Sequence, residues 1–137
     1  MSVPRQLAAR VRRRAQGRCE YCQMSQALQG ATFHVEHIIP HSAGGVTTDD
    51  NLAIACPGCN LHKADRRTAR DPATGSEVSL FHPRRDRWKE HFAWSGVRLV
   101  GITAQGRATV AALELNHSRR LGIRRAEAEF GLFPPPK

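Results

Sequence analysis

Two Cys-x-x-Cys pairs, Cys19/Cys22 and Cys56/Cys59, constrain this chain more than any other feature. Each such turn offers two thiolates from one loop, and zinc takes four soft donors at about 2.3 Å in a tetrahedron. With residues 23–55 lying between them, the pairs suit a knuckle that clamps the base of a hairpin better than a compact finger. Cys19, Cys22, Cys56 and Cys59 are therefore expected to hold one structural zinc with no open position. Two disulfides would be the competing use, and a redox role lacks the βαβ setting that it needs. A zinc staple by itself requires nothing of the run His34-Val35-Glu36-His37-Ile38-Ile39-Pro40, nor of Gly44-Gly45, Asn51 and Asn60. Those residues point to a second, oxygen-rich metal site.

At 137 residues the chain can bury one modest core, so a single domain over residues 1–137 is the default. Lys and Arg number 21 against 12 Asp and Glu, a net charge of +9 that calls for a polyanionic partner. Most of the cations are Arg, whose fork suits bidentate phosphate contacts. No run of about 18 apolar residues is present, which argues against a membrane helix and a membrane partner. The early arginines lead into no apolar stretch of the secretory kind. The chain thus reads as cytoplasmic, with its thiols reduced and open to metal.

Along the chain, residues 4–16 read as a helix with Leu7, Ala8, Val11 and Ala15 on one face and Arg10, Arg12, Arg13 and Arg14 elsewhere. Gly17 is a natural stop. Thr32–Ile39 and Leu52–Ala55 suit strands joined through a flexible Ser42-Ala43-Gly44-Gly45 turn, and Cys56-Pro57-Gly58-Cys59 opens a helix to about Ala69. Beyond Arg70 the pattern changes to turns at Asp71-Pro72 and Thr74-Gly75 and a short strand over Val78–Phe81. A hairpin follows across Ser95-Gly96, then a helix capped by Thr103, a last helix over Ser118–Phe130 and a disordered proline-rich end. The fold class is α+β, divided into a basic helix (1–18), a core (19–70), a C-terminal extension (71–130) and a tail (131–137). Arg66, Arg67 and Arg70, with Arg84, Arg85 and Arg87 and the N-terminal arginines including Arg12 and Arg13, are candidates to track a nucleic-acid backbone.

Cys19-x-x-Cys22, Glu36-His37-Ile38-Ile39-Pro40, Gly44-Gly45, Asn51-Leu52 and Cys56-x-x-Cys59-Asn60-x-x-Lys63 together resemble the HNH endonucleases of the ββα-metal type. The likeness covers about residues 19–67. Trp88-x-x-His91-Phe92 and Gly106-Arg107-Ala108-Thr109-Val110 further resemble the tails of small stand-alone bacterial members. Two positions depart from the commoner family pattern, Glu36 for Asp and Asn60 for His.

What the resemblance implies is a metal-dependent DNA endonuclease, nicking or weakly sequence-specific. His37 would be the general base, Glu36 and Asn60 the oxygen ligands of a catalytic Mg²⁺ or Mn²⁺, and Asn51 the residue that holds the loop and orients His37. Lys63, one turn beyond Asn60, would steady a phosphate. Strand alternation sends Glu36 and His37 to opposite faces, so the family's shared centre implies a distorted backbone there. His34 and His62 would serve in support. One such centre cuts one strand, so a double-strand break would need a dimer or two visits. An RNase using the same residues, or a zinc-dependent nucleic-acid-binding module without catalysis, remains open from sequence.

Overall fold

The computed structural model describes residues 3–136, so Lys137, the last residue of the tail, lies outside the described residues. The chain is α+β and gathers into two compact units, Met1–Arg67 with His82–Asp86 and Thr68–Phe81 with Arg87–Lys137. Among the described residues no helix is long and apolar enough to cross a membrane.

The first unit opens with helix α1, Arg5–Ala15, which Pro4 precedes and which ends where Gln16 and Gly17 turn to φ 54° and 76°. Its buried residue is Val11, set against strand β2, Leu52–Ala55. Every residue of β2 is buried, which explains its unbroken apolar sequence. Strand β1, His34–His37, pairs antiparallel to it with His34 opposite Ala55 and His37 opposite Leu52. The strand expected to reach Ile39 stops at His37 because the ladder ends one residue on, at Asn51, and the Ile39 amide turns to a side chain. Ile38 N–H donates to the Asn51 carbonyl at 2.8 Å and Ile39 N–H to the Asn51 side chain at 2.8 Å.

Helix α2, Pro57–Lys63, is shorter than the expected run to Ala69. Cys56 caps it through its sulfur, which accepts from Cys59 N–H at 3.4 Å, and Pro57 takes the first turn where no donor is needed. It ends at Ala64, φ 47°, and the residues beyond are drawn into a sheet of the second unit.

That sheet is a hairpin of β3, Thr68–Arg70, and β4, Glu77–Ser79, joined by a turn built on Asp71. The Asp71 carboxylate accepts from Ala73 N–H and the Thr74 hydroxyl, and Arg107 grips it with two bonds of 2.9 Å. Ala69, Leu80 and Ala108 form a small core with Val78 and Ala112. A short helix α3, Trp88–His91, leads into the hairpin β5, Phe92–Ser95, and β6, Arg98–Gly101, turning at Gly96. Helix α4, Ala104–Ala112, is capped by Thr103, whose hydroxyl accepts from Gly106 N–H at 3.0 Å. Its first turn packs onto Gly101 so closely that a Cβ there would meet Arg107 N at 2.3 Å. Helix α5, Ser118–Glu129, buries Arg120 and Arg124 as donors to backbone carbonyls, Leu113 and Leu115 among them. Trp88 and Trp94 pack against each other with ring centroids 5.6 Å apart, a structural use of both rings.

Candidate metal centre and active site

The turn after α1 carries Cys19 and Cys22, and it is tied by Cys19 N–H to the Met24 carbonyl and Gln23 N–H to the Cys19 carbonyl, both at 2.9 Å. The other pair opens α2. These two local turns meet: all four sulfurs are buried and lie within 4.8 Å of one another. Cys22 Sγ and Cys56 Sγ are 3.7 Å apart. A tetrahedron with ligand bonds of about 2.3 Å has edges of about 3.8 Å, so the donor set fits zinc. Burial, reinforced by hydrogen bonding with the other three sulfurs, pushes the Cys19 thiol well above its ordinary range. A divalent cation is the group that reverses this preference and holds four thiolates together. The four cysteines expected as ligands are thus brought together.

His37, at the end of β1, is half-buried, and its Nε2 lies 2.9 Å from Thr47 Oγ1. Burial, then the neighbouring His41, holds its imidazole below the usual range, so the ring is neutral at neutral pH and able to accept a proton. The loop that carries Thr47 is pinned by Asn51. The Asn51 amide donates to the Ile39 carbonyl at 3.0 Å and to the Val46 carbonyl at 2.8 Å while accepting from Ile39 N–H. Gly45 permits this closeness, since a Cβ there would sit 1.8 Å from the Ile39 carbonyl oxygen and 2.9 Å from Asn51 Nδ2. The segment expected to be a loose turn is a short 3-10 turn, His41–Ala43, followed by Gly44 at φ 87° and the crowded Gly45. Asn51 holds the loop; no bond from it to His37 is part of this network.

Glu36 and His37 alternate across β1 in regular register, without the backbone distortion that the resemblance implies. Glu36 is 8% exposed, and Tyr21 donates to it at 2.5 Å. Its other oxygen lies 3.9 Å from Lys63 Nζ. Burial raises its carboxyl to about 7, against the opposing pull of Lys63 and Tyr21. Lys63, expected to meet a phosphate, is 2% exposed and donates to the Ile38 carbonyl at 2.8 Å. Asn60 is half-buried on α2. A hard divalent ion asks for oxygen ligands with room for water and phosphate. Glu36, turned inward and held by Tyr21 and Lys63, does not offer that arrangement.

The arginines divide by use. Arg12 donates to the Phe33 carbonyl at 2.8 Å, Arg14 to the Leu52 carbonyl at 2.9 Å, and Arg10 pairs with Asp49 at 2.6 Å, so part of the basic helix face fastens α1 to its own unit. Arg13, Arg66 and Arg67 are exposed, and so is His34. Sequence reasoning gives His82 no role, yet His82, Arg84 and Arg85 join Arg67 along a cleft of about 330 Å³ in the first unit. The signal that could have marked His82 is the His82-Pro83-Arg84-Arg85 run itself, whose arginines the sequence already offers as backbone contacts.

Residues 19–66 match the family model described as HNH endonuclease. No curated protein matches the chain. The matched segment contains the four cysteines, His37, Asn51 and Asn60, and it stops before His82–Asp86.

Proposed function

We propose, from an HNH endonuclease domain over residues 19–66, that this protein is a divalent-metal-dependent DNA endonuclease that hydrolyses phosphodiesters one strand at a time. The observation that carries this is His37: a neutral imidazole whose Nε2 faces the Thr47 hydroxyl at 2.9 Å, at the end of a strand paired to β2 and next to the Asn51-held loop. A neutral imidazole with a fixed hydroxyl neighbour can take a proton from an attacking water, a role worth roughly 10²–10⁴-fold in rate. Asn51 acts as a positioning residue, setting the loop that carries Thr47. The net charge of +9 and the exposed Arg13, Arg66 and Arg67 support binding to a nucleic-acid backbone without base readout.

The catalytic ion proposed is Mg²⁺ or Mn²⁺, which would neutralise charge on the scissile phosphate when bound. Asn60 is a proposed ligand; Glu36, which Tyr21 and Lys63 hold inward, does not fit the ion in this conformation. Reduced thiols and the absence of a membrane-crossing helix among the described residues are compatible with a cytoplasmic setting.

The test is a panel of Mg²⁺, Mn²⁺, Ca²⁺ and chelator on the zinc-loaded protein, with supercoiled plasmid and a labelled RNA side by side. Open-circular plasmid with Mg²⁺ or Mn²⁺, and intact RNA, is the expected outcome. Cleavage of RNA alone would make the enzyme an RNase. Binding without scission in every metal would make it a nucleic-acid-binding module.

A further inference from the structure

The cleft that Arg67 and the His82–Asp86 segment line is polar in an unusual way. Three of the residues that line it are arginines, Arg67, Arg84 and Arg85, against one acid, Asp50. Asp50 already accepts a 2.5 Å bond from the Thr48 hydroxyl. His82 is 9% exposed, and its Nδ1 accepts from both Arg84 N–H and Arg85 N–H at 3.2 Å. A neutral ring that accepts at Nδ1 carries its proton on Nε2. That Nε2 is buried and has no hydrogen-bond partner. Arg84 is held by an ion pair to Glu20, which in turn accepts from Ile54 N–H at 2.9 Å. Yet the Nε of Arg84 is also buried without an acceptor.

Two buried donors left unmatched on residues that line one cleft are costly unless a ligand supplies acceptors. Both call for oxygens, and the guanidiniums of Arg67 and Arg85 call for negative charge. Asn51 and Gly45 line the same cleft, so the loop that carries Thr47 toward His37 forms one of its walls.

We propose that this cleft is a phosphate subsite, in which Arg67, Arg85, Arg84 Nε and His82 Nε2 hold a backbone phosphate neighbouring the one that is cut. The subsite rests on the nucleic-acid assignment for the source of its anion. Its four proposed donors lie outside the residues that the family match covers, although most of the cleft's lining lies within them. Its consequence is register: a phosphate fixed here sets the strand against the loop that Asn51 pins.

The test uses the zinc-loaded full chain and inorganic phosphate as probe, read by NMR at the His82 ring nitrogens. Phosphate is expected to shift the Nε2 signal saturably. The Arg67→Ala/Arg85→Ala double variant, which leaves His82 and Arg84 in place, should weaken that affinity by at least tenfold. On duplex DNA the same variant should lower the slope of log K against log salt by about 2, one for each lost phosphate contact. A His82 signal indifferent to phosphate overturns the subsite. So does a DNA salt slope unchanged in the double variant, which would leave an adventitious ion only. If phosphate and DNA results hold while no metal supports cleavage, the subsite stands and the nuclease assignment fails.

Discussion

Lys63 shows how a residue expected to work at the surface can be more valuable inside. Its ammonium, 2% exposed, is matched to the Ile38 carbonyl and to Glu36, which Tyr21 also binds. Burial lowers the Lys63 pKa and raises that of Glu36, so each ion depends on the other to stay charged. Removing the cation takes away the pull that keeps Glu36 ionised, so its carboxyl takes up a proton, while the buried Ile38 carbonyl loses its donor, at a cost of about 1–3 kcal/mol. Lys63→Met should therefore destabilise by about 1–3 kcal/mol, chiefly through the Ile38 carbonyl, and adding Glu36→Gln should recover part of that loss by removing the buried acid. Urea unfolding of the two single variants, the double variant and the wild type checks this. Equal losses in the single Lys63→Met and the double would contradict it.

Among the elements, the Asp71 turn makes a clean case for pH. Asp71 is fully buried and accepts from Arg107, Thr74 and Ala73, with Arg107 chiefly holding its carboxyl well below the usual carboxylate range. A depressed folded-state pKa contributes stability that is fully present above the unfolded value of about 3.9 and is lost as pH falls beneath it. Thermal unfolding of the wild type should thus drop steeply below about pH 4, and Asp71→Asn should start lower at pH 7 and flatten that acid limb. A limb of unchanged steepness in the variant would contradict the assignment.

The same element shows what a sequence can reveal. Asp71-Pro72 and Thr74-Gly75 announce a turn, and Leu52–Ala55 announces a buried strand, because both signals are local. The end of α2 is not local: Ala69 is buried in the core formed with Leu80 and Ala108, and that demand for tertiary burial stops a helix that periodicity would carry further. The four cysteines declare their cluster by spacing alone. The inward turn of Glu36 is invisible from sequence, since it depends on Tyr21 and Lys63 arriving from two other segments.

For the whole molecule, the sulfur cluster joins the turn after α1 to the start of α2 in a unit whose apolar core is small. Metal binding at such a site is folding free energy, with apparent values of about 10–16 kcal/mol in isolated zinc modules. Stripping zinc with a strong chelator should expose the amides of β1, β2 and α2 to rapid hydrogen exchange, with the β5–β6 hairpin as internal reference. Protection in β1 and β2 that survives complete zinc loss would show that the cysteines are not what holds the first unit. The measurement that bears most directly on the central claim compares zinc-loaded wild type and His37→Ala on supercoiled plasmid at matched zinc content and thermal stability. Nicking is predicted to fall by at least about 100-fold in the variant; equal nicking by both proteins would contradict a general base at His37 and the endonuclease built upon it.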